Sequence, residues 1–258
     1  KEQTPLVYYS YRAESSRSAG RDGFEEVMYQ EEMVAPITKW HWLARRPDMI
    51  PETIRRSFKV AWTPPYGPTY ATWHADYTKE KVRTEVISHK MVDPRMRIRP
   101  NPREVERAAR MLVEAEKPML YVGDELYKTN SVDKAVKLAE MLGVPVTEPW
   151  QVFANFPQAH PQWVGGSAMR TQNPDVVINV GNKLQHFSPS PIVPRSVKFI
   201  DMRNDAASIG NIMTTDVPLV ADVGHGLDDL MSALEDLMTS TIRKQVAERA
   251  ERVRAYSE

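Results

Sequence analysis

The chain has 258 residues, long enough for one or two domains. Its 34 basic and 34 acidic side chains cancel, so it has no global field to draw it onto nucleic acid or an anionic membrane. It has no cysteine, which excludes disulfides, thiolate metal sites and a cysteine nucleophile and agrees with a cytoplasmic setting. No run reaches the roughly 20 apolar residues that cross a bilayer.

In chain order, Pro5-Leu6-Val7-Tyr8-Tyr9 has strand character, and the polar stretch from Ser10 to Asp22 reads as a loop. Phe24, Val27 and Met28 have helical spacing until Pro36 breaks the pattern. Pro51 suits the first turn of a helix, in which Ile54, Phe58 and Ala61 would share the inner face. Gly67-Pro68 makes a turn and Thr69 to Trp73 can form a strand, giving a β-α-α-β reading for 1–78. The charged residues 79–100 read as a linker.

From Asn101 the pattern sharpens. Asn101 is a good N-cap and Pro102 a good first helical residue, followed by an apolar stripe at Val105, Ala108, Ala109, Leu112 and Val113. Met119 to Val122 is a strand ended by Gly123-Asp124. Ser131 opens a second helix, with Val132, Ala135, Val136, Ala139 and Leu142 inward, and Gly143 stands where a left-handed cap is expected. Further strands are expected at Val144–Val146, Val176–Val180, Val197–Ile200 and Val217–Val220. A last amphipathic helix carries Leu227, Leu230, Met231, Leu234, Leu237 and Met238. The charged segment 241–258 reads as a connector or a frayed helix. Short apolar strands alternating with amphipathic helices predict an α/β fold. The expectation is a parallel, Rossmann-like sheet flanked by helices over 101–240, preceded by a partial α/β domain.

At this point several strings resemble one family. Ala108-Ala109-Arg110-Met111-Leu112, then Lys117 through Gly123, is similar to the start of the central domain of thiamine-diphosphate-dependent enzymes of the acetolactate synthase, 2-keto-acid decarboxylase and 2-hydroxyacyl-CoA lyase type. Leu138 through Val146, the His160-Pro161 pair, Gly165-Gly166, Asp175 through Gly181, Phe199-Ile200-Asp201 and Asp216-Val217-Pro218 continue the likeness in order. Upstream, Thr4 to Val7, Gly23 to Val27, Pro36 to Trp40, Ile50 to Ala61 and Gly67-Pro68 resemble the later part of that family's pyrimidine-binding domain. Two strings depart from the pattern: Tyr9-Ser10-Tyr11-Arg12 replaces an apolar strand ending in Gly-Gln, and Trp73-His74-Ala75-Asp76 replaces the usual acidic residue.

The resemblance implies thiamine diphosphate and Mg²⁺ in the complete enzyme and a lyase or transferase reaction next to a carbonyl. It also places the cofactor-activating glutamate before Lys1 and the Gly-Asp-Gly diphosphate motif in a further domain. The nearest string here, Gly123-Asp124-Glu125, lies in the central domain. The missing domains or a partner chain would therefore carry those groups, with homo-oligomer formation expected. Scaffold is the main role expected of this chain, with no catalytic residue.

Parallel sheets bind ligands beyond the C-terminal ends of their strands, where the strand order reverses. That places Gly123, Gly181, Asp201, Arg203 and Asp222 as candidate cofactor-binding residues for FAD or ADP, or for NAD in a stand-alone nucleotide module. Glycines also end strands, and acids cap helices, without any ligand. A non-catalytic interaction domain is the remaining alternative. His41, His74, His89, His160, His186 and His225 show no metal-ligand spacing, and no Gly-x-Ser-x-Gly or phosphate-loop lysine motif occurs.

Overall fold

The structure is a computed structural model that describes residues 3–16, 27, 29–86, 97–148, 152–165, 172–184 and 193–257. The chain divides into two compact units, Lys1–Met96 and Arg97–Glu258.

The first unit contains strands β1 (Val7–Arg12), β2 (Trp40–Leu43) and β3 (Thr69–His74), with helices α1 (Gln30–Val34) and α2 (Ile50–Trp62). The sheet order is β1-β3-β2 and both pairings are parallel. β2 was not foreseen: Trp40-His41-Trp42-Leu43 is short and lies directly after the Pro36 break. The helix expected around Phe24 and Met28 lies outside the described residues.

α2 begins at Ile50, with Pro51 in its first turn; Ala61 and Ile54 face inward as expected, but Phe58 does not, and the inner face is shifted toward Thr53 and Ser57. Thr53, Ser57 and Ala61 are buried, Ile54 is partly buried and Phe58 is 38% exposed. Small residues let the helix approach the sheet closely. Their hydroxyls are satisfied locally: Ser57 donates to the Thr53 carbonyl at 2.9 Å, and Thr69 of β3 donates to the Ser57 carbonyl at 3.2 Å.

The second unit contains α3 (Pro102–Glu114), β4 (Pro118–Val122), α4 (Glu125–Lys128), α5 (Val132–Leu142) and β5 (Val146–Thr147). After these come β6 (Val176–Val180), β7 (Lys198–Arg203), β8 (Val217–Val220), α6 (Val223–Leu237) and α7 (Ser240–Ser257). The sheet is parallel throughout, in the order β5-β4-β6-β7-β8. Asn101 caps α3 by accepting the Arg103 N–H at 3.0 Å. Val105, Ala108, Ala109 and Leu112 are buried, as their spacing predicts. Gly143 closes α5 at φ 62°, a left-handed conformation in which a side chain would also strike the Val246 carbonyl oxygen of α7.

Leu120, Leu138, Ile178, Ile200, Leu219 and Leu230 are fully buried in one core between the sheet and its helices. Met119, Tyr121, Val177 and Phe199 form a second cluster, which places both faces of the sheet in apolar surroundings.

The segment 241–258, expected as a connector or frayed helix, is helical from Ser240 to Ser257. Its few apolar positions hid the contact that seats it. Arg249 is buried and donates to the Leu142 carbonyl at 2.8 Å and the Ala115 carbonyl at 3.0 Å, satisfying acceptors at the C-terminal ends of α5 and α3.

Candidate functional site

The strand order of the second unit reverses between β4 and β6, so a ligand crevice is expected beyond their C-terminal ends. The sequence places glycines there, Gly123 after β4 and Gly181 after β6. The structure brings them together, and each makes room for the other loop. A Cβ on Gly123 would lie 2.2 Å from the Asn182 Cα, and one on Gly181 would lie 2.6 Å from the Glu125 Cβ. Gly181 also has φ 69°, which disfavours any side chain. The Asn182 amide donates to the Val122 carbonyl at 2.9 Å, and the Glu125 N–H donates to the Gly181 carbonyl at 3.3 Å. The reversal point is thus closed by the chain's own backbone.

Behind it lies a buried polar network. Glu125, in the first turn of α4, and Arg203, at the end of β7, are each only 3% exposed. The Arg203 Nε stands 3.5 Å from a Glu125 carboxylate oxygen, and the Asn204 N–H donates to the other oxygen at 2.9 Å. Burial pushes the Glu125 carboxyl up to about 7, against the opposing pull of Arg203 and the Asn204 N–H. Asp201 lies within β7 rather than beyond its end, directly opposite Asn179 of β6. The Asn179 amide donates to Asp201 at 2.8 Å and to the Asn182 carbonyl at 2.9 Å, linking the aspartate to the Gly181 loop. Burial raises the Asp201 carboxyl to about 6, opposed by the Asn179 hydrogen bond and by Arg203.

Asp222, the fifth candidate, stands apart as the N-cap of α6. It accepts the Gly224 and His225 N–H groups at 3.1 and 3.3 Å. Gly123, Gly181, Asp201 and Arg203 therefore share one contiguous network, and Asp222 performs a separate capping task.

Sequence reading missed Glu125, Asn179, Asn182 and Asn204, as well as a second carboxylate group beyond β5. There the Asn155 amide donates to Glu148 and, at 2.9 Å, to Asp124. Burial pushes the Glu148 carboxyl up to about 7, with the Asn155 hydrogen bond pulling down and Asp124 pushing up. One signal was available: a lone asparagine in Val176–Val180 and a lone aspartate in the next strand. Two polar residues inside apolar strands need partners, and each is the other's.

Chemically, carboxyls that titrate near neutrality can hold or release a proton. Here their contacts run to the protein's own amides, backbone and arginine. Among the described residues, no group of three or more His, Asp or Glu side chains is placed to hold a metal ion. Among the same residues, no helix is long and apolar enough to cross a membrane.

With this geometry established, comparison with known proteins gives a consistent picture. Residues 105–230 match the family described as "Thiamine pyrophosphate enzyme, central domain". A probable acetolactate synthase large subunit of Methanocaldococcus jannaschii is 27% identical over an alignment of 239 positions that covers 83% of this chain and 39% of that protein. A sulfoacetaldehyde acetyltransferase of Castellaniella defragrans is 26% identical over 98% of this chain and 43% of its own length. The benzoylformate decarboxylase structure from Polynucleobacter necessarius superposes with a TM-score of 0.80 at 20% identity, over 90% of this chain and 45% of that one. At that identity the superposition speaks for the fold alone. The chain spans less than half the length of these relatives. Residues 105–230 thus match the central domain of the thiamine pyrophosphate enzymes, and the chain is similar over most of its length to acetolactate synthase large subunits.

Proposed function

We propose that this chain is the structural part of a cytoplasmic, oligomeric thiamine-diphosphate-dependent enzyme that makes or breaks C–C bonds next to a carbonyl, in 2-keto acids or acyl-CoA compounds. The observation that carries the reading is the likeness to acetolactate synthase large subunits, which extends over 83% of the chain and both compact units. When bound, thiamine diphosphate itself supplies the electron sink for such reactions.

In this reading the cofactor is held by other parts of the assembly; among the described residues no group of three or more His, Asp or Glu side chains is placed to hold a metal ion. Glu125 and Asp201 are committed to protein donors. The activating glutamate, the diphosphate motif and magnesium therefore belong to other parts of the assembly in this reading, and no catalytic step is assigned to this chain.

The first unit supports association. Among the described residues β1 lies at the edge of its sheet, with Tyr8, Tyr11 and the preceding Leu6 each more than half exposed. An open edge of this kind offers unpaired backbone groups to a neighbouring strand.

The test is to isolate the native assembly containing this chain and assay 2-keto-acid consumption with thiamine diphosphate and magnesium added or withdrawn. Cofactor-dependent turnover is the expected result. A pure assembly that binds no thiamine diphosphate and turns over no 2-keto acid or acyl-CoA compound would overturn the reading.

A further inference from the structure

At the end of the second unit's sheet opposite the reversal point, a cavity of about 210 Å³ is lined by Glu116, Lys117, Pro118, Gln172, Arg249 and Arg252 among others. We propose that this cavity is a binding site for a small oxyanion, a phosphate or a carboxylate, held by Lys117, Arg249 and Arg252.

The charge balance is the first argument. Three cations line the cavity against one carboxylate, Glu116. Asp175, whose charge reaches Arg249, is already engaged, with its two oxygens accepting the Glu116 and Lys117 N–H groups at 2.8 and 2.9 Å. Neither Lys117 nor Arg252 has an ion-pair partner among the described residues. Like charges gathered without an intervening anion repel one another, and a bound anion removes that repulsion.

The second argument is Arg249. It is 8% exposed, its two Nη groups are spent on the Ala115 and Leu142 carbonyls, and its Nε is buried with no hydrogen-bond partner. Both carbonyls are neutral, so the guanidinium charge lining the cavity has no ion-pair partner among the described residues. Burial, and after it the charge of Arg252, lowers the Arg249 pKa from its ordinary value, while Asp175 opposes the change. An anion would act in the same direction as Asp175.

Size sets the ligand class. The cavity is smaller than the roughly 300 Å³ at which pockets for cofactor-sized ligands begin. It matches a small oxyanion in size. Guanidinium groups hold either oxyanion through charge-assisted hydrogen bonds, so phosphate and carboxylate are both candidates.

Thermal unfolding of the chain in inorganic phosphate or in malonate, with sodium chloride matching the ionic strength, tests the proposal. At ten times its dissociation constant the preferred anion should raise the melting temperature by about 3 °C. The double variant Lys117→Gln, Arg252→Gln should lose that rise while keeping the carbonyl caps of Arg249. A rise with phosphate alone or malonate alone supports the site and identifies its ligand chemistry. No rise with either anion overturns the proposal, as does an equal rise in the double variant.

Discussion

The two units of this chain bury their sheets to different extents. In the second, β4 and β6 have every residue buried, and both faces of the sheet meet apolar clusters. In the first, the buried apolar cluster is Ala44, Ala71 and Trp73, with Tyr9, Met49, Ile50, Ile54 and Tyr77 packed partly against it. Tyr8, Tyr11, Trp42, Phe58 and Trp62 meanwhile remain exposed. A small core supplies little of the burial that offsets chain entropy. The contrast separates a sheet covered on both faces from one that leaves aromatic surface exposed, and it can be tested by substitution.

The largest expected difference is in the cores. Ile200→Ala in β7 should cost about 4 kcal/mol, as for a fully buried side chain, and Ile54→Ala in α2 about 1 kcal/mol. Urea unfolding of both variants measures the ratio, and equal costs would erase the contrast. Gly123→Ala should follow, at about 3 kcal/mol, because its new methyl meets the Asn182 backbone rather than a flexible side chain. If that variant melts like the parent, the reversal point is not closed by the chain itself.

The buried carboxyls sharpen the comparison through pH. Glu125 and Glu148 titrate at about 7 and Asp201 at about 6 in the fold, above their ordinary ranges. The folded state therefore holds these protons more tightly than the unfolded chain. Their contribution is greatest below the unfolded values near pH 4 and is lost as pH rises through about 6 to 7. Stability of the second unit should fall between pH 5 and pH 8. Glu148→Gln keeps an acceptor for Asn155 and removes the charge. It should gain about 1–2 kcal/mol at pH 8 and change little at pH 5, as thermal melts at the two pH values would show. The smallest effect belongs to Asn101→Ala, which removes the α3 cap for about 1 kcal/mol in the same melts.

How much of this was legible depended on whether burial follows periodicity. α3 could be read because Asn101, Pro102 and the Val105–Leu112 stripe agree with one another. Gly143 could be read because a left-handed cap leaves a glycine. α2 was misread because its inner face uses Thr53 and Ser57, whose local hydroxyl bonds replace apolar bulk. α7 was underestimated because an arginine, not an apolar stripe, seats it. At the candidate site the glycines follow β4 and β6 as expected, whereas Asp201 lies inside β7 and Asp222 caps α6. Their partners were not legible, since Glu125, Asn182 and Asn204 come from separate loops that only the fold brings together. The close approach that those glycines allow is to the protein's own backbone, which no local pattern reveals.

Calorimetric titration of this chain with thiamine diphosphate and magnesium addresses the scaffold role most directly. If the cofactor's carboxylate and diphosphate sites lie elsewhere in the assembly, the isolated chain gives no saturable heat. Saturable, magnesium-dependent binding to this chain alone would contradict that role.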